Sequence, residues 1–211
     1  MKTTLPAFLA AAMLAAAAPG PASAAAEAAA ARPTAAGTQA ALRDLWLGHV
    51  FWVRNVVDAR LDGDAAEAKA AEEQVVANAR AIAGAIEPFY GKPASDALFG
   101  LLAGHWGAIS EFLDAARAGN KPGEDAALGR LVANAGEIAK FLSTANPNLP
   151  FETLRGLLSA HGAHHVQQIR QLKAGQYGDE ARTWSAMKDH MYAIADALAG
   201  AIAKQFPEKF G

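Results

Sequence analysis

An all-α protein is what this sequence predicts, built as six helices in three tandem helical hairpins. Three observations carry that expectation. The first is an internal repeat. Leu42–Leu45–Trp46–Gly48–His49 returns as Leu98–Leu101–Leu102–Gly104–His105, and again as Leu154–Leu157–Leu158–Ala160–His161, each time after 56 residues. Val75-Val76-Ala77-Asn78-Ala79 keeps the same frame with Leu131-Val132-Ala133-Asn134-Ala135 and Met187-Lys188-Asp189-His190-Met191. Gly63, Gly119 and Gly175 also share one frame position. The second observation is period. Leu42, Leu45, Trp46, His49, Val53 and Val56 fall on one stripe of an α-helix. The third is that β-branched residues never alternate in the two-residue rhythm of a strand.

The elements follow in order. The first helix ends at Gly63, and Asp64 with Glu67 three residues later has the spacing of a helix start. Val75, Asn78, Ala79, Ile82 and Ile86 line one face of the second helix, which runs out by Pro88–Gly91. Lys92–Asp96 reads as a short connection. Leu98–Arg117 is the third helix, and Gly119–Gly123 its turn. Glu124 and Asp125 then sit favourably at the amino end of the fourth. Asn146–Pro150 stops that helix. Phe151–Ala174 and Asp179–Gln205 complete the third hairpin, and Pro207 closes it. The repeats span residues 42–97, 98–153 and 154–211 of a single domain, 38–211. Either a closed bundle or a short stacked array satisfies this pattern.

Ahead of the domain, residues 1–24 read as a secretory signal peptide. Lys2 opens it, Leu5–Ala18 is apolar, and Ala22-Ser23-Ala24 is a small-residue cleavage site. That run is too short to cross ~30 Å of hydrocarbon, so the mature chain is expected to have no stable membrane span. Residues 25–37 are an Ala-rich tether. The expected location is periplasmic or secreted. There is no cysteine, which excludes disulfides, thiolate metal sites, iron–sulfur clusters and covalent haem. Net charge is −2 with no basic stripe, so nucleic acid is not an expected partner.

Measured from its turn glycine, each hairpin carries a histidine 14 residues before and an Asn or His 15 residues after. At ~1.5 Å per residue both lie ~21–22 Å from the turn. His49 is thus expected to face Asn78, His105 to face Asn134, and His161 to face His190, in one polar layer across the core. Neutral imidazole is a ligand for copper, zinc, iron and nickel. His49, His105, His161 and His190 are candidate ligands, with His165 one turn beyond His161 on the same face. Met187 and Met191 flank His190, and thioether beside imidazole suits copper(I). Asn78, Asn134, Met187 and Met191 are expected to support the site or the layer.

Two other readings use the same residues. The histidines of a non-catalytic interaction protein would simply be hydrogen-bonded and set helix register. A b-type haem would need an apolar slot, for which Gly48, Gly104, Ala160, Gly84 and Gly200 are small enough, although small residues more often serve close packing. His164 alone is an ordinary half-exposed histidine. Trp52 and Arg54 could mark a face, Arg54 and Asp58 make an i,i+4 ion pair, and Glu72 shares a frame position with Leu128 and Trp184. Asp62-Gly63-Asp64 resembles the acidic motif of sugar-nucleotide enzymes, but here it is a hairpin turn. No hydrolase, zincin, phosphate-loop or dinucleotide motif occurs, and no catalytic residue is assigned.

His49-x-x-Trp52-x-Arg54, Phe141-Leu142-Ser143 with Asn146-Pro147, and Gln205-Phe206-Pro207-x-Lys209-Phe210 resemble a family of small all-helical exported bacterial proteins without an established activity. Some of its members carry a glycosyltransferase label. The resemblance covers most of 42–210, implies the same helical fold and transfers no catalytic residue.

Overall fold

The structure is a computed structural model that describes residues 32–211. The expected signal peptide, 1–24, and residues 25–31 of the expected tether lie outside them. Six long helices form: α1 (Ala35–Asp62), α2 (Ala65–Tyr90), α3 (Lys92–Ala118), α4 (Lys121–Ala145), α5 (Phe151–Lys173) and α6 (Tyr177–Gln205). A short 3₁₀ turn, Pro207–Lys209, follows. No strand occurs among the described residues.

Helix ends follow local chemistry. Thr34 caps α1 by accepting the Gly37 N–H at 2.9 Å, so the folded chain starts before Thr38 and takes in the end of the tether. Asp64 caps α2 by accepting from the N–H groups of Ala66 and Glu67 at 3.0 and 2.9 Å. Gly63, Gly119 and Gly175 all have positive φ, between 67° and 81°. A left-handed residue at that frame position lets the chain reverse in each hairpin. Two expected connections are shorter than their composition suggests. Lys92–Asp96 belongs to α3, because Pro93 in a first turn costs no backbone bond. Only Gly91 separates α2 from α3. Likewise Lys121–Gly123 is already α4, with Asn120 accepting the Gly123 N–H at 3.1 Å.

The three hairpins close into a ring. Each helix packs on the next, and α6 returns to α1. Helix α5 also touches α1 and α3, so the first helix of each hairpin lies inward and the second fills the outer gap. This settles the choice between bundle and stacked array in favour of the bundle. Because the repeat places α1, α3 and α5 in equivalent positions, the ring has an approximate threefold axis. Its core is divided in two. One apolar cluster contains Leu42, Trp46, Leu98, Leu102, Leu154 and Leu158. The other contains Val53, Val56, Ile109, Phe112, Val166 and Ile169. The histidines occupy the level between them.

At the end near Leu42 the last residues fold back as a plug. Phe210 stacks on Phe89 with ring centroids 5.5 Å apart. Tyr90 donates its hydroxyl to Gln205 at 2.9 Å and accepts from Asn146 at 2.8 Å. The motif residues Asn146 and Gln205–Phe210 therefore seal one end of the ring.

Candidate metal centre

Four histidines meet on the axis. His49 comes from α1, His105 from α3, and His161 and His165 from α5. All are buried, at 1–6% exposure. One ring nitrogen from each lies within 4.8 Å of the other three. His49, His105 and His161 are repeat-equivalent and form a triangle with ring centroids 6.2, 5.4 and 5.4 Å apart. His165 is the fourth corner, with centroids 5.6, 6.4 and 4.5 Å from those three. It stands where the first two repeats place the core residues Val53 and Ile109. The geometry is that of an irregular tetrahedron, three corners from the repeat and one from a single departure from it.

The spacing suits one first-row transition ion. Metal–nitrogen bonds of ~2.0–2.1 Å in a tetrahedron put neighbouring nitrogens ~3.3–3.4 Å apart. Nε2 of His161 and Nε2 of His165 are already 3.2 Å apart. They sit at i,i+4 on one helix, where side chains stack one above the other.

Asn134 fixes the chemistry of His105. Its amide nitrogen donates to the Leu101 carbonyl at 3.0 Å, which turns its oxygen toward the ring. Nδ1 of His105 lies 3.1 Å from that oxygen and must carry the proton. Nε2 is left with its lone pair, buried and without a partner. An imidazole held through one nitrogen and free at the other is how metal-binding histidines are commonly oriented. Five buried polar side-chain atoms lack a partner among the described residues: Trp46 Nε1, Asn78 Oδ1, His105 Nε2, His161 Nδ1 and Gln171 Oε1. Four of the five are in this layer or beside it. Buried groups are normally paired, so the concentration here marks a place suited to a ligand.

Charge is equally distinctive. Burial lowers the pKa of His49 to about 3, helped by His105. Burial brings His105 down to about 4, against a smaller upward pull from Asn134. Burial and the neighbouring rings push His161 and His165 well below the usual imidazole range. All four are neutral at pH 7, the form that binds metal. No Asp or Glu joins the group among the described residues.

Several expectations need correction. His190 is not in the cluster; its Nε2 bonds the Leu157 carbonyl at 2.8 Å. Asn78 bonds the Leu45 carbonyl through its amide nitrogen at 3.0 Å and does not pair with His49. What recurs is therefore a staple. Asn78, Asn134 and His190 reach the carbonyls of Leu45, Leu101 and Leu157, each four residues before a layer histidine. Gly48 and Gly104 serve it, since an added Cβ would come within 3.0 and 3.3 Å of the Asn amides. Gly84, Gly200 and Ala160 are exposed. Small residues thus open no slot for a haem, and nitrogens within 4.8 Å of one another leave no room for a porphyrin between them. Met187 and Met191 are fully buried, in the Leu42 cluster.

A second polar group escaped the sequence. Glu180 is buried and receives both ends of the Arg54 guanidinium, at 2.8 and 3.1 Å, and the Gln168 amide at 2.7 Å. Those bonds offset burial and hold its carboxyl below the usual range. Arg54 also pairs with Asp58 at 2.6 Å. The sequence shows only that i,i+4 pair, because Glu180 lies 126 positions away. Glu72 turns partly inward, accepting from the Trp106 indole at 3.1 Å and Arg60 at 3.0 Å.

No helix among the described residues is long and apolar enough to cross a membrane. Comparison with family models, curated proteins and solved structures finds no match to this chain, and the reading of the centre rests on its geometry.

Proposed function

We propose that this protein binds one transition-metal ion, of the copper, zinc, iron or nickel group, through His49, His105, His161 and His165. The observation that carries the reading is four buried, neutral imidazoles with ligand nitrogens mutually within 4.8 Å. Nitrogen donors without carboxylates favour these ions over magnesium or calcium. Four protein ligands leave no open position, the mark of a holding site rather than a catalytic one. Storage, buffering or sensing of the ion is the corresponding role. The leader-like residues 1–24 support a periplasmic or secreted setting for it. A purely hydrogen-bonded layer is the competing account. It explains the His105–Asn134 pair but leaves His105 Nε2 buried without a partner.

The test is metal content after purification without a histidine tag or chelator, and after incubation with each ion in turn. One tightly held ion per chain is expected. His165→Val restores the residue type of the first repeat and should remove that ion with the fold intact. Full stoichiometry in that variant would refute the assignment.

A further inference from the structure

Two further histidines lie just outside the centre. His164 precedes His165 on α5, and His190 faces it from α6, with ring centroids 5.6 Å apart. That separation falls inside the 4.5–6.4 Å range among the four inner rings. Both side chains are half-buried, unlike the inner four. Nε2 of His190 is taken by Leu157, which leaves its Nδ1 for another use.

The repeat says which of these features the fold requires. At the position of His190 the first two repeats carry Asn78 and Asn134, which form the same staple to a carbonyl. At the position of His164 they carry Trp52 and Ala108. Asparagine makes the staple in the first two repeats, so the staple does not require a histidine at 190. The same repeat that gains the fourth inner ligand also gains an outer pair at the surface beside it. Meanwhile the inner site is sealed by its own ring of helices, so an ion must exchange its water for protein ligands on the way in.

We propose that His164 and His190 form a two-imidazole docking site for a divalent transition ion, from which the ion passes to the inner four histidines. The pair is open to solvent on one side and adjoins His165 through the chain on the other. It captures the hydrated ion, replaces part of its water, and raises its local concentration at the entrance. The inference rests on the four-histidine reading, and the following experiment separates the two.

Metal-free full-length protein is mixed rapidly with cobalt(II), and the visible absorption of tetrahedral cobalt is followed in time. The comparison is with His164→Ala, His190→Asn and the double variant, each residue taken from another repeat so that the fold is kept. The expected result is an unchanged final absorption and melting temperature, with the loading rate of the double variant lower by about tenfold or more. An unchanged rate would overturn the docking site while leaving the inner centre standing. A reduced final absorption would overturn it too, because the pair would then belong to the final ligand set. No tetrahedral band in the unmodified protein would overturn both readings.

Discussion

Metal-free protein should be unusually sensitive to mild acid, and the size of the effect follows from the histidine layer. An unfolded histidine takes up a proton near pH 6.5, but folded His49 and His105 resist until about pH 3 and about pH 4. The sign follows directly. Below about pH 6.5 the unfolded state binds more protons than the folded state, so stability falls with falling pH until the folded pKa values are reached. Above about pH 7 these groups contribute no slope. At about pH 5 each of the two costs the folded state ~1.5 pH units at ~1.4 kcal/mol, or ~2 kcal/mol. Together that is ~4 kcal/mol, and His161 and His165 act in the same direction. Against a typical total of ~5–15 kcal/mol, this removes most of the stability of a domain at the low end of that range. The assay is urea unfolding of chelator-treated protein, followed by circular dichroism, at about pH 7.5 and about pH 5. His165→Val should show a smaller acid loss than the unmodified chain. Stabilities within ~1 kcal/mol of each other at the two pH values would refute the reasoning, because at least two buried neutral imidazoles could not then be present.

Three other outcomes are expected. Metal affinity, measured by competition with a chromophoric chelator of known pH behaviour, should be nearly flat from about pH 8 to about pH 6, since the folded ligands have no proton to lose; a tenfold fall across that range would contradict it. Asn134→Ala should cost ~1–3 kcal/mol in thermal unfolding, by stranding the buried Nδ1–H of His105, and weaken metal binding by about 10–100-fold; Asn78→Ala should cost less, because its oxygen already has no partner. Gly119→Ala, at φ 67°, should destabilise by ~1–2 kcal/mol, whereas Gly84→Ala, where the space around an added Cβ is open, should stabilise by ~0.5–1 kcal/mol; equal melting temperatures would contradict both.

The helices and the layer were legible because the 56-residue period repeats both the apolar stripe and the polar residue within it. The distance of His49 and Asn78 from Gly63 fixes their height along the hairpin. It does not fix rotation about the helix axis, and there the expectation failed. Asn78 meets a backbone carbonyl, and only in the second hairpin does the amide reach the ring. His165 was legible from its i,i+4 spacing to His161. The exclusion of His190 was not, because a carbonyl partner leaves no mark in a pattern of side chains. Ring closure was also hidden, since a repeat fixes each hairpin but not the angle between hairpins. The ion pair between Glu180 and Arg54 depends on that angle, as it joins the first helix to the last.

Threefold closure bears on how the molecule would come apart. Tandem-repeat proteins generally fray one unit at a time, because each unit touches only its neighbours. Here there is no terminal unit: α6 lies against α1, and every hairpin sends a histidine to the same point. An ion held there would belong to all three hairpins at once, and losing any one would strip the ion of a ligand. Loading would then turn a chain of similar units into one cooperative body. Amide protons of α1, α3 and α5 would exchange together and slowly in the loaded protein, and hairpin by hairpin in its absence.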